Sequence, residues 1–526
     1  MRCKSKDKGF TLVELLAVIV ILAIILAVAI PGIGAIINSS KKSSYNSQME
    51  LIKNAASLYM AEYSNGTITS VRLDQLIEAG FIKDNVVNPV TGESFDTNII
   101  VNTSTGNYGE YEVYEGPELV TGLIPVYYDE IASLWKKADA TNNDYNWYDY
   151  SNQKWANAVT VTTSSRSTYQ SDPVGTTILE ADVLTYFVWI PRYKYLIPVG
   201  SGAREIKVMF ETQYTPKSRG NAVSSYYTHP AFTFGTKELN GIWVGKFETT
   251  GSSTAPTIKP NVQSLTTLTF KTMYNNIKTY IQGSPTYGLS TDSDAHMMKD
   301  TEWGAVALLS GSRYGKYGNA NYTGSAKEIY LNNSSLPYTG RSMGTPGGSG
   351  ITTTLYDGTN LREYAPNGYY TYDGKCAMIH ANLPAPCNTG NVGQTLTNKT
   401  LAYGASTTGT IYGIYDMSGG TWDAVMGNYQ NYTGNTSTSN SGFNGPYGDG
   451  SGSLTTGMAF PDSRYYNLYT TSNATTACNG GICYGHALSE TSRWYNDYNT
   501  MLTASSSWFL RIIFILNRGR NISFLC

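Results

Sequence analysis

Between Phe10 and Ser40 the chain carries one charged residue, Glu14. An ionised carboxylate in the hydrocarbon of a bilayer costs on the order of a few kcal/mol, so a glutamate at that place needs a partner. The segment is long enough to span a membrane, and its membrane portion runs over about 10–37. Arg2, Lys4, Lys6 and Lys8 precede it against a single Asp7, which holds the leader on the cytoplasmic side and sends the bulk of the chain outward. Two other readings exist. A secretory signal peptide would end at the small residues Ala27-Val28-Ala29, and a plain membrane anchor would simply stay in place. Neither accounts for Glu14 beside the Gly9–Phe10 junction.

The stretch Lys8-Gly9-Phe10-Thr11-Leu12-Val13-Glu14-Leu15-Leu16 resembles the processing site of type IV prepilins and pseudopilins. The resemblance implies cleavage by a prepilin peptidase between Gly9 and Phe10. Phe10 becomes an N-methylated terminus, and Glu14 pairs with the terminal amine of a neighbouring pilin subunit. Pro31 stands where members of that family kink the same helix. The implied location is the cytoplasmic membrane before assembly, then the cell surface in an extracellular filament.

At 526 residues the chain calls for two to four domains. A net charge of −2 gives no basic footprint for nucleic acid. The 43 tyrosines exceed what a core needs. With Asn, Ser, Thr and Gly they give a surface like that of adhesive proteins, in which tyrosine supplies rigid contact area with a polar tip. A secreted β-rich protein with long polar loops has the same composition.

Residues 1–9 form the leader and 10–116 a pilin-like helix with a small head. Tyr45, Met49, Ile52, Ala56 and Tyr59 recur at helical spacing as one apolar stripe. From Phe10 to about Tyr63 such a helix would be roughly 80 Å long. Residues 71–82 read as a short helix ending at Gly80, Asn88-Pro89-Val90-Thr91-Gly92 as a turn, and 97–114 as a hairpin. Residues 117–175 read as a small β module, with Thr162 to Thr168 as a Ser/Thr-rich linker at its end. The main ectodomain takes 180–526. The fold class is α+β.

Three segments of that ectodomain carry a second resemblance. They are Gly241-Ile242-Trp243-Val244-Gly245-Lys246-Phe247-Glu248-Thr249-Thr250, Met298-Lys299-Asp300-Thr301-Glu302-Trp303-Gly304-Ala305-Val306-Ala307, and Tyr415-Asp416-Met417-Ser418-Gly419-Gly420-Thr421-Trp422-Asp423-Ala424-Val425. In order and spacing they resemble the motifs of the formylglycine-generating-enzyme, or sulfatase-modifying-factor, family. The resemblance implies a C-type lectin-like fold in which Trp243, Trp303 and Trp422 are core residues. Glu302 and Asp416 could hint at chemistry, but paired carboxylates cannot be placed from sequence, and they read as structural hydrogen-bonding groups. That family's activity needs a reactive cysteine pair. Cys478 and Cys483 instead have the spacing of a tight disulfide loop, so the expectation is a binding scaffold without enzymatic activity.

Cys376 with Cys387 and Cys478 with Cys483 read as two local disulfides of an extracellular protein. No CxxC occurs and there are four histidines, a poor basis for zinc. No cofactor is expected, with calcium at Asp292 and Asp294 as the one alternative. His229, His296, His380 and His486 show no ligand spacing and read as surface or loop residues.

In the lectin-like targets of diversity-generating retroelements a C-terminal segment bears the variable contact residues. Residues 489–511 resemble its start, which makes Tyr495, Tyr498 and Trp508 possible contacts to an extracellular protein or glycan. From about Arg511 the chain departs from that pattern. Asn517 to Ile522 can be encoded so that a one-base shift restores a Gly-Ala-Gly-like ending, so a frameshift is one expectation and a divergent strand over Phe509 to Leu516 the other. The combined reading is a minor or tip pilin-like adhesin. A structural pseudopilin of a secretion or DNA-uptake system and a surface-tethered enzyme are the alternatives.

Overall fold

The computed structural model describes chiefly residues 40–63, 70–83, 86–90, 99–103, 111–114, 116–141, 146–197, 205–220, 225–318, 338–342, 368–417, 421–430, 461–469 and 484–491, apart from a few single positions, with 498–499, 508–512 and 522–523 near the C-terminus. The apolar segment with Gly9, Phe10 and Glu14 lies outside them, as do Cys478, Cys483, Tyr495 and His486. Among the described residues no helix is long and apolar enough to cross a membrane. The chain divides into two compact units. One holds residues up to Val113 together with Tyr214–Pro216, and the other holds Tyr114–Gln213 and Lys217–Cys526.

The first unit is built on helix α1, residues 40–63. Its stripe of Tyr45, Met49, Ile52 and Ala56 is buried, as the 3.6-residue period requires. Strand β1 (Ser70–Arg72) leads directly into helix α2 (Leu73–Glu78). The expected helix therefore starts two residues later than its apolar pattern suggested. Val71 and Arg72 pair with β2 (Ile100–Thr103) instead, and the Arg72 N–H donates to Gln75 Oε1 at 2.9 Å, closing the helix start. Gly80, at φ 79°, ends the helical segment. Asn88 to Gly92 close a turn through the Gly92 N–H to the Asn88 carbonyl at 2.8 Å. Strand β3 (Tyr111–Tyr114) completes a sheet of order β1-β2-β3. Leu73, Leu76, Phe95, Ile99 and Val101 pack on the α1 stripe, and the Tyr214 ring lies 4.6 Å from that of Tyr45.

In the second unit β4 (Ile124–Asp129), β5 (Leu134–Lys137) and β6 (Asn157–Val161) precede helix α3 (Thr163–Ser171). Then comes the nine-residue β7 (Val183–Pro191). Residues 117–175, expected as a separate linker module, thus supply three strands of a five-stranded antiparallel sheet of order β13-β7-β6-β4-β5, in which β13 is Gly241–Gly245. The cause is aromatic burial. The indole N–H groups of Trp147 and Trp155 donate to the carbonyls of Asn157 (2.8 Å) and Tyr314 (2.6 Å), and that of Trp135 to the Tyr372 hydroxyl (2.9 Å). The Trp155 and Trp135 anchors tie the segment into the larger core, and that of Trp147 closes it on itself. The Ser/Thr run expected as a linker forms the first turns of α3. Arg166 on that helix donates to the Pro285 carbonyl at 2.9 Å.

Strands β8 (Tyr193–Leu196), β9 (Lys207–Phe210) and β10 (Tyr227–Thr228) form a sheet of order β10-β8-β9. A hairpin of β11 (Thr233–Phe234) and β12 (Lys237–Glu238) precedes β13 (Gly241–Gly245), and β14 (Thr250–Ser252) pairs with β15 (Ala255–Thr257). Helix α4 (Phe270–Asn276) runs into a π-helical turn at Ile277–Ile281. Helix α5 (Asp300–Ser310) is buried along its whole length, and α6 (Thr400–Tyr403) is a single turn. The last sheet has the order β17-β16-β19-β18, from β16 (Trp422–Tyr429), β17 (Asn467–Tyr469), β18 (Tyr498–Asn499) and β19 (Trp508–Ile512). Helix α7 (Ala487–Glu490) lies between β17 and β18 in sequence, and β20 (Ile522–Ser523) pairs in parallel with β16.

Cys376 and Cys387 are joined in a disulfide and fully buried. Closing a loop of eleven positions restricts the unfolded chain by about 3 kcal/mol. Replacing both cysteines by serine should lower the urea midpoint of this unit accordingly. The measurement is tryptophan fluorescence, which reports this unit alone because all nine tryptophans lie in it.

Candidate functional site

The three motif segments of the ectodomain meet in one place. Lys246, fully buried, donates from Nζ to the carbonyls of Ile411 (2.6 Å) and Gly413 (2.8 Å), and its carbonyl accepts from the Tyr415 N–H at 2.9 Å. Burial pushes its ammonium well below the ordinary lysine range, and the rings of Trp135, Phe247 and Tyr415 surround it. Glu248, also fully buried, accepts from the Thr421 N–H at 2.7 Å, the Thr421 hydroxyl at 2.9 Å and the Ser264 hydroxyl. Asp416 accepts from the Gly340 N–H at 2.7 Å and the Thr339 hydroxyl. The Met426 N–H donates to the Met298 carbonyl at 2.8 Å, and the Trp303 indole reaches Asp423 Oδ2 at 3.3 Å. Long polar loops are thereby fixed by hydrogen bonds to buried groups.

A cleft of about 460 Å³ opens beside this core. Its apolar wall consists of Ile277, Ile281, Leu289 and Val244. Trp243 stands at its edge, half-buried, 5.3 Å from the Trp189 ring, with its indole N–H on the Glu118 carbonyl at 2.7 Å. Trp303 is a core residue, as expected. Trp243 departs from that expectation because β13 is an outer strand. Gly241 is required here, since a Cβ would come 2.3 Å from the Trp189 ring.

Across the cleft the Phe234 ring stacks on His296 at 4.8 Å. His296 donates from Nδ1 to the Asp294 carbonyl at 2.6 Å, and its Nε2 lies 3.2 Å from Glu302 Oε1. Burial opposes the ionised form of Glu302, but Lys299, His296 and the Lys299 N–H outweigh it and hold the carboxyl down at about 2. Asp294 Oδ1 accepts from Lys278 Nζ and the Tyr465 hydroxyl, each at 2.8 Å. The expectation of calcium at Asp292 and Asp294 fails on this pairing, because the Lys278 ammonium occupies the carboxylate a cation would need. Among the described residues no group of three or more His, Cys, Asp or Glu is placed to hold a metal ion.

Other expected site residues fall elsewhere. Trp508, expected as a ligand contact, is 4 % exposed and packs on Phe270, Phe443 and Tyr466. It is a core residue, because β19 lies inside its sheet against β16. Tyr498 pairs through its backbone with Ile512. His229, expected at the surface, is fully buried. The atypical tail enters the fold through β19 as far as Ile512, and residues 513–521 and 524–526 lie outside the described ones. The cluster of Phe234, Asp294, His296 and Tyr465 carried no sequence signal, since its members are scattered over more than 200 positions.

Residues 4–30 match the prokaryotic N-terminal methylation motif. The chain is also similar to the type II secretion system core protein G of Escherichia coli (strain K12), 23 % identical over 127 residues, which are 22 % of this chain and 87 % of that protein. Together they support a type IV pilin-related surface protein. Its prepilin-type motif implies processing by a peptidase and assembly with other pilin subunits.

Proposed function

We propose that this chain is a minor or tip subunit of a type IV pilus-like filament. A prepilin peptidase would cut it after Gly9, and its large second unit would be an adhesin. The observation that carries this reading is the methylation motif at residues 4–30, with Glu14 as the lone charge in the apolar segment. No reaction is involved. Assembly buries the apolar helix and pairs Glu14 with a neighbour's terminal amine, while the distal unit offers its cleft and loops. A head of this size is sterically hard to repeat along a packed shaft, which favours the tip. The meeting of the three motif segments around Lys246, Glu248 and Asp416 supports a lectin-like scaffold of the sulfatase-modifying-factor type, used for binding. The similarity to a type II secretion core protein favours a second reading, a structural pseudopilin.

The testing experiment reads the mature N-terminus by mass spectrometry. The wild type should yield N-methylated Phe10. Gly9→Val should leave the leader attached, because the bulky side chain blocks the small-residue cleavage position. A terminus at Ile30 in both proteins would mean an ordinary signal peptide and would sink the filament reading.

A further inference from the structure

The cleft beside the buried core has a volume of about 460 Å³, within the roughly 300–1,000 Å³ of pockets that enclose small ligands. Its interior is apolar and comes from separate parts of the chain. Phe187 and Trp189 belong to β7 and Val244 to β13, while Ile277 and Ile281 lie on the π-helical turn and Leu289 follows it. All six are buried, so the core behind them fixes the shape of the cavity.

The mouth is polar and carries unspent charge. Four acids line the cleft. Asp294 and Glu302 are engaged by Lys278 and Lys299. Asp292 and Glu118 are exposed, and neither is paired with a basic group among the described residues. One exposed base, Lys237, stands against these two. Asn240 Nδ2 holds Glu118 Oε1 at 2.7 Å, and the Trp243 indole donates to the carbonyl of the same glutamate at 2.7 Å. Glu118 is thereby kept beside Trp243.

Trp243 is half-buried, and among the described residues no basic group lies over its ring. Phe234, the other large aromatic ring toward the polar side, is already used: Lys299 Nζ lies 5.0 Å and the Arg464 guanidinium 5.7 Å from its centroid. A half-open indole next to an unpaired carboxylate attracts a cation.

We infer that this cleft binds a small organic cation of single charge. An apolar body about the size of an aromatic amine fills the buried interior, and its positive group stays at the mouth with Trp243, Glu118 and Asp292. An anion of the same shape is repelled by the two unpaired acids. A sugar would set its hydroxyls against Ile277, Ile281 and Leu289. The inference rests on reading the second unit as a binding unit and names the class of ligand it takes.

The test uses the full-length protein in lipid nanodiscs and three probes of one shape, phenylbutylamine, phenylbutanol and phenylbutyrate. Binding is read by tryptophan fluorescence, to which Trp189 and Trp243 contribute from the cleft, with empty nanodiscs titrated alongside to fix the free probe. The amine should bind about tenfold more tightly than the alcohol, and the carboxylate more weakly than either. Asp292→Asn combined with Glu118→Gln should bring the amine to within about threefold of the alcohol and leave the alcohol unchanged. Both positions are exposed, so the double variant keeps the fold. Equal affinity for the three probes, no response to any of them, or an amine affinity untouched by the double substitution would each overturn the inference. If no probe binds while filament-bearing cells still adhere through residues 180–526, this site falls and the adhesin reading stands. If the amine binds as expected and deleting 180–526 leaves adhesion unchanged, the cleft stands and the adhesin reading falls.

Discussion

Replacing Glu14 by alanine should abolish incorporation of this protein into filaments while leaving it in the membrane. The substitution removes the single charge between Phe10 and Ser40, so insertion into the bilayer becomes easier by on the order of a few kcal/mol. Assembly moves the other way. If the proposed processing frees Phe10, its terminal amine would be a buried cation in a bundle of apolar helices, and a buried charge that loses its partner costs about 3–5 kcal/mol. One such loss per subunit contact shifts incorporation by two to three orders of magnitude, at about 1.4 kcal/mol per factor of ten. The measurement is immunoblotting of sheared filaments against the membrane fraction. Glu14→Asp should restore part of the incorporation, since it keeps the charge and shortens its reach. Filaments containing wild-type amounts of the alanine variant would mean the segment is a plain anchor, and both the adhesin and the pseudopilin readings would fall.

The sequence exposes what depends on near neighbours and hides what depends on distant ones. The α1 stripe was legible because Tyr45, Met49, Ile52 and Ala56 share a face by period alone. The turn at Asn88 to Gly92 was legible from its own residues, and so was the pairing of Cys376 with Cys387. The role of residues 117–175 was not. Their short aromatic strands become part of a sheet only through β7 and β13, and the hydrogen-bond partners of Trp135 and Trp155 lie 237 and 159 positions away. The cleft was partly legible. Trp243 sits in a recognisable segment, but that β13 is an outer strand follows from the order of the sheet. Trp508 and His229 failed for different reasons: Trp508 was placed by resemblance to a variable contact segment and His229 by its lack of ligand spacing, in a chain where aromatic and histidine rings also fill the core.

His229 gives the second large effect, an acid destabilisation that its replacement should remove. The residue is fully buried, with the rings of Tyr193, Tyr195 and Phe232 between 5.1 and 5.9 Å away. Its Nδ1 accepts from the Ala231 N–H at 3.2 Å, which requires the neutral ring with the proton on Nε2. Protonating Nδ1 would set two N–H groups against each other. Burial accordingly pushes its pKa down to about 3 from 6.5. The unfolded chain then binds a proton that the folded one refuses, so stability is whole above pH 6.5 and is lost as pH falls toward 3. The slope approaches 1.4 kcal/mol per pH unit, and the whole interval amounts to about 4–5 kcal/mol. Glu490 acts in the opposite sense. Burial pushes its carboxyl up to about 8, so its contribution is lost as pH rises from 4.5 through 8. The two slopes offset one another between pH 4.5 and 6.5, and within that window the wild-type profile alone would conceal both. Comparison with His229→Asn isolates the histidine, because Glu490 is common to both proteins. Near pH 7 the variant should be less stable by about 1–3 kcal/mol, from lost packing and a weaker bond to the Ala231 N–H. As pH falls below 6.5 the difference should shrink and then change sign before pH 3. Urea unfolding followed by tryptophan fluorescence at a series of pH values checks this. A difference that stays constant across the series would mean that His229 carries the same charge in both states, and that its place in the core imposes no acid limit on this unit.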